Sequence, residues 1–101
     1  MEEKRQYHRA VVHLDVACHR ESGEEFPAVI RDISVGGAFI ECETSLAFGT
    51  KIDIAVKLPG MAAESKLPAV VRWNKPGGFG VQFGLLGARE THALTDIVRK
   101  R

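Results

Sequence analysis

Lys51-Ile52-Asp53-Ile54-Ala55-Val56-Lys57-Leu58 places Ile52, Ile54, Val56 and Leu58 on one side of an extended chain and Lys51, Asp53, Ala55 and Lys57 on the other. A repeat of two is the signature of a half-buried β-strand, and Pro59-Gly60 stops it. The same reading extends outward in both directions. Upstream, Val12, Leu14, Val16 and Cys18 alternate with His13, Asp15, Ala17 and His19, and Glu21-Ser22-Gly23-Glu24 turns the chain into a returning run from Phe26 to Ile33. The turn at Ser34 to Gly37 then opens a third strand, Ala38 to Cys42. Downstream, Leu67 to Trp73 and Phe79 to Phe83 form a pair joined by the tight turn Asn74-Lys75-Pro76-Gly77-Gly78.

Past Gly84 the period changes. Leu94, Ile97 and Val98 follow the spacing of an amphipathic helix running from Ala88 to Lys100, whose basic end complements the helix dipole. Six short strands followed by one helix predict an all-β domain: a small antiparallel barrel or sandwich with a C-terminal α-helix packed against it. A chain of 101 residues is one domain. We divide it into a flexible N-terminal arm (1–9), a β-rich body (10–84) and the helix (88–100).

Composition narrows the function. The formal net charge is +1, so the protein as a whole has no field suited to nucleic acid or an anionic membrane. No apolar run approaches the roughly 18 residues of a membrane span, and the charged N-terminus lacks the core of a signal peptide. A cytoplasmic location is the expectation, without membrane insertion. Cys18 and Cys42 form no Cys-x-x-Cys pair and are expected as buried, reduced thiols. The four histidines (His8, His13, His19, His92) are scattered at spacings unsuited to a metal. No nucleophile motif or phosphate-cradling loop is present, so neither an enzyme nor a resident cofactor is expected.

Two short motifs carry the functional signal. Arg5 and Arg9, in Arg5-Gln6-Tyr7-His8-Arg9, fall on one side of an extended or a helical segment, with Cα atoms roughly 13 Å or about 6 Å apart. Two guanidinium forks can therefore converge on one multiply charged ligand, gripping phosphates or a guanine edge. Taken alone, the pair also reads as a solvated basic tail. Asp32-Ile33-Ser34-Val35-Gly36-Gly37 sets a carboxylate and a hydroxyl two residues apart before paired glycines. The carboxylate can accept guanine N–H groups, and the glycines would let a ligand approach the backbone. The same residues also suit an ordinary capped turn using positive φ. The nearest cationic residue in sequence, Arg31, alternates to the opposite face from Asp32.

In order and spacing, Arg5, Arg9, Asp32, Ser34 and Gly37 resemble the PilZ domain family, as does the late pair Val70-Val71-Arg72-Trp73 and Gly78-Phe79-Gly80-Val81-Gln82-Phe83. The resemblance implies a six-stranded antiparallel β-barrel, with the arm folding over one face, and cyclic di-GMP as ligand. Carried over, the ligand-binding residues are Lys4, Arg5, Arg9, Asp32, Ser34, Gly36, Gly37 and Trp73. Trp73 competes with a core reading, because it shares its strand face with Leu67, Ala69 and Val71. Where many members carry further arginines beside the first motif residue, this chain has Lys4 and Gln6.

The resulting expectation is a non-catalytic bacterial second-messenger receptor or adaptor. The nucleotide would order the arm, and the output would act in trans on an unidentified protein effector, from a monomer or weak homodimer that binds no nucleic acid. The alternative is a PilZ-like protein-interaction module that does not bind the nucleotide.

Overall fold

A computed structural model describes residues 9–99. The six expected strands are present: β1 (Ala10–Arg20), β2 (Glu25–Ile33), β3 (Gly37–Glu41), β4 (Lys51–Val56), β5 (Ser65–Lys75) and β6 (Gly78–Phe83), followed by the helix α1 (Ala88–Arg99). They form a closed barrel in the order β1-β2-β3-β6-β5-β4, and every neighbouring pair is antiparallel. Closure is made by β1 against β4, from Ala17 opposite Ala55 to Arg20 opposite Ile52. Alternation that the sequence shows strand by strand thus becomes one inner face and one outer face.

The inner face is filled by β-branched and aliphatic side chains. Ile30, Ile33, Ile40, Ile54, Leu67 and Val71 are wholly buried, with Phe79 and Cys18 among them. Burying each such side chain contributes about 1.5–3 kcal/mol. α1 adds Ala93, Leu94 and Ile97 to the same apolar core. The sequence expectation named Val98 in place of Ala93; Val98 lies at the margin, only partly buried. At the helix start, Glu90 accepts a hydrogen bond from Ser65 Oγ at 3.4 Å, tying α1 to the first residue of β5.

The β5–β6 hairpin closes on two residues, since Lys75 pairs with Gly78. Pro76 fixes one φ, and Gly77 supplies a φ of 90°, open to glycine at little cost. Both cysteines are free thiols. Burial, with Cys42 nearby, pushes the Cys18 thiol up to about 12, so it stays protonated. Cys42 is only half-buried, and its Sγ accepts a hydrogen bond from Thr44 N at 3.2 Å.

Candidate functional site

Three irregularities in the strand ladders build the site. β1 carries one extra residue against β2 between Val11 and Leu14. β2 carries one against β3 between Ile30 and Asp32, and β5 one against β6 between Val71 and Trp73. A bulge of one residue exchanges the inner and outer faces from that point onward. Asp32 consequently pairs with Phe39, Phe39 with Gly80 and Gly80 with Trp73, while Val11 pairs with Asp32 from the other side. One lateral row on the outside of the barrel therefore runs Val11, Asp32, Phe39, Gly80, Trp73 across five strands.

The bulge in β5 decides the fate of Trp73. Simple alternation would carry it inward with Leu67, Ala69 and Val71, and that core reading is wrong. Trp73 is 45% exposed. Its ring stacks on Phe39 at 5.4 Å with planes 12° apart, and Lys75 Nζ sits 4.8 Å from the Phe39 ring centroid. The indole lies flat over Gly80, where an added Cβ would come within 2.2 Å of Trp73 Cε2. The absence of a side chain at position 80 is what makes room for the ring.

The bulge in β2 does the same for Asp32. Arg31, the extra residue, is exposed and pairs with Glu41 at 3.3 Å. Asp32 instead meets Arg9. Because Ala10 lies opposite Ile33 and Val11 opposite Asp32, Arg9 and Asp32 are diagonal neighbours on one face. Arg9 Nη1 donates to Asp32 Oδ1, with the two side chains 36% and 32% exposed. The first and second sequence motifs thus join directly, and Asp32 has a cationic partner that strand alternation alone did not supply.

The turn after Asp32 is internally satisfied. Ser34 is buried; its Oγ accepts from Gly36 N and Gly37 N, both at 3.1 Å, and donates to Gly37 O at 3.3 Å. Ser34 N closes the turn onto Gly37 O at 2.8 Å, and Phe83 N holds Gly36 O at 2.9 Å. The hydroxyl therefore braces the turn internally, and the Phe83 N–H ties it to β6. Neither Gly36 nor Gly37 adopts positive φ. Glycine is required at position 37 for a different reason: a Cβ there would stand 2.2 Å from the carbonyl oxygen of Val81.

Between the braced turn and the β5–β6 hairpin lies a cavity of about 460 Å³ lined by Arg9, Ser34, Gly36, Gly37 and Trp73, together with Arg72 and Gln82. Five of the sequence-predicted residues meet on one surface. Asp32 reaches it through Arg9. Lys4 and Arg5 lie outside the described residues. Arg72 and Gln82 were not singled out from the sequence, although both stand in the stretches that carry the family likeness. A larger groove of about 1250 Å³ lies beside the 42–47 loop, but its charged lining among the described residues is Asp15, Glu41 and Glu43 against Lys75. That acidic surface does not suit an anion. No group of three or more potential metal ligands occurs among the described residues, and none of their helices is long and apolar enough to cross a membrane.

Comparison with known proteins agrees with this architecture. The PilZ domain family model matches residues 3–100. No curated protein matches the chain. Among solved structures, the Bacillus subtilis inhibitor of motility MotI/DgrA superposes with a TM-score of 0.78 at 25% identity, covering 98% of this chain and 52% of that one. The chain therefore spans about half the length of that protein. The PilZ domain of CeSA from a cellulose-synthesizing bacterium gives 0.71 at 22% identity, covering 92% of this chain and 96% of that one. The PilZ domain of Escherichia coli YcgR, solved with c-di-GMP, gives 0.74 at 16% identity, covering 97% and 91%. A family model spanning nearly the whole sequence, a shared barrel and the joining of its two signature motifs lead to one conclusion: the chain belongs to the PilZ domain family.

Proposed function

We propose that this domain is a receptor for cyclic di-GMP and signals to a protein partner without chemistry of its own. The observation that carries the reading is the convergence of Arg9, the Ser34–Gly37 turn and Trp73 on one cavity. Arg9 presents a planar fork suited to a phosphate or a guanine O6/N7 edge. Asp32 gives Oδ1 to Arg9 and keeps Oδ2 for guanine N–H donors. The exposed indole of Trp73 offers a stacking face, a contact worth about 1–3 kcal/mol per base. Lys4 and Arg5, five and four residues before Arg9 in sequence, are assigned to the ligand's remaining phosphate and guanine. No cofactor enters this scheme.

Binding would draw the segment carrying Lys4 and Arg5 toward the cavity and so change the surface offered to an effector. Two or three bidentate contacts of roughly 1–3 kcal/mol each, less the entropic cost of association, correspond to about micromolar affinity. Calorimetry on wild type, Arg9→Ala and Asp32→Ala tests this. Wild type is expected to bind cyclic di-GMP and each variant to lose at least tenfold. Absence of heat in wild type, or unchanged binding in both variants, removes the reading.

A second reading, a protein-docking module indifferent to the nucleotide, draws on the apolar rim of the same region. Val11 is 76% exposed beside Asp32, and Leu85 is 95% exposed beside Gly84, which lines the cavity. A partner captured equally with and without cyclic di-GMP would favour it.

A further inference from the structure

Among the described residues lining the 460 Å³ cavity, only Arg9 and Arg72 carry a charge. Their surroundings differ. Arg9 is neutralised by the Asp32 carboxylate. Arg72 is the extra residue of the β5 bulge, which leaves it exposed on the outer surface. Its Nε donates to Gln82 Oε1 at 2.8 Å. Gln82 stands opposite Val70 on β5 and opposite Gly37 on β3, so the amide that orients Arg72 is fixed to the corner that forms the other wall. An amide positions a guanidinium without cancelling its charge, and no acidic side chain among the described residues pairs with Arg72. With Nε engaged, the two terminal amino groups keep four N–H donors for another acceptor.

We propose that Arg72, held by Gln82, binds a phosphodiester oxygen of the nucleotide and supplies the uncompensated positive charge that draws the anion into the cavity. This inference rests on the cyclic di-GMP reading above and deepens it by assigning one phosphate to a residue outside both signature motifs. A phosphate contact depends on charge more than on fork geometry, whereas a guanine-edge contact needs the fork. The two are therefore separable by substitution.

The experiment is calorimetry with cyclic di-GMP at low and moderate NaCl on the whole chain, comparing wild type, Arg72→Ala, Arg72→Lys and Gln82→Glu. Positions 72 and 82 are both exposed, and circular dichroism of each variant verifies the fold. Arg72→Ala is expected to raise Kd about tenfold or more and to flatten the dependence on salt. Arg72→Lys should recover most of the loss. Gln82→Glu sets a carboxylate against Arg72 and should weaken binding although the guanidinium remains. Wild-type affinity in Arg72→Ala or in Gln82→Glu overturns the assignment while leaving the receptor reading intact. A Lys variant as weak as the Ala variant overturns the phosphate contact. A wild type that does not bind removes the receptor reading and this inference together.

Discussion

On the β1–β2 wall of the cavity a guanidinium meets a carboxylate; on the β5–β6 wall a guanidinium meets an amide. Arg9 and Asp32 form a neutral pair, which a nucleotide bound there on the reading proposed above would share or displace. Arg72 and Gln82 form a pair that still carries a full charge. The contrast teaches that the motif residues and the electrostatic attraction need not coincide. On the receptor reading proposed above, the first wall would recognise shape and hydrogen-bond pattern, and the second would draw the anion in.

The comparison depends on the two walls meeting at Gly37, where β3 runs against β6 so closely that a Cβ would lie 2.2 Å from Val81 O. Both groups are backbone, so neither can swing aside. Gly37→Ala is expected to destabilise the fold by about 2–3 kcal/mol, read as a fall in the urea midpoint. A loss near zero would mean the junction yields and the walls are not rigidly joined. Gly80→Ala tests the β5–β6 wall alone. Its Cβ would collide with an indole that can move, so about 1 kcal/mol is expected. The fluorescence of Trp73, the one tryptophan in the chain, should shift as the ring lifts from β6. Unchanged emission would show that the ring does not lie on that glycine in solution.

The smallest effects sharpen the contrast most. A double-mutant cycle on Arg9→Ala and Asp32→Asn, without nucleotide, should give a coupling of about 0.2–1 kcal/mol that shrinks with added salt. The parallel cycle on Arg72→Ala and Gln82→Ala should give a coupling of similar size that salt hardly alters, because one partner is a neutral dipole. Equal salt responses in the two cycles would erase the distinction between the walls.

Much of the barrel was legible in the sequence because its strands keep strict alternation, as Ile52, Ile54 and Val56 do in β4. The family resemblance put Arg9 and the Asp32 turn at one site, but their direct ion pair was not legible. Nor were Trp73 and Arg72. A bulge belongs to a pair of strands, since an extra residue exists only relative to the partner opposite it. No glycine or proline marks Arg31 or Arg72 as the inserted residue, so period-two reading sent Trp73 inward. The positive-φ reason for glycine at position 37 fails: its φ is not positive, and its backbone needs closeness to Val81. Ser34 fitted both the turn reading and the ligand reading in sequence, and the structure gives its hydroxyl to the turn.

Closure of the barrel bears on how a partner can recognise this domain. Each of the six strands already has a hydrogen-bonded neighbour on both sides. No strand among the described residues is wholly unpaired on one side, so strand addition is confined to the ends that outrun their partners, such as Ala10 to Val16 on the β4 side of β1. Along the paired lengths of the strands, recognition falls to outward-pointing side chains, which can vary without disturbing the ladder beneath them.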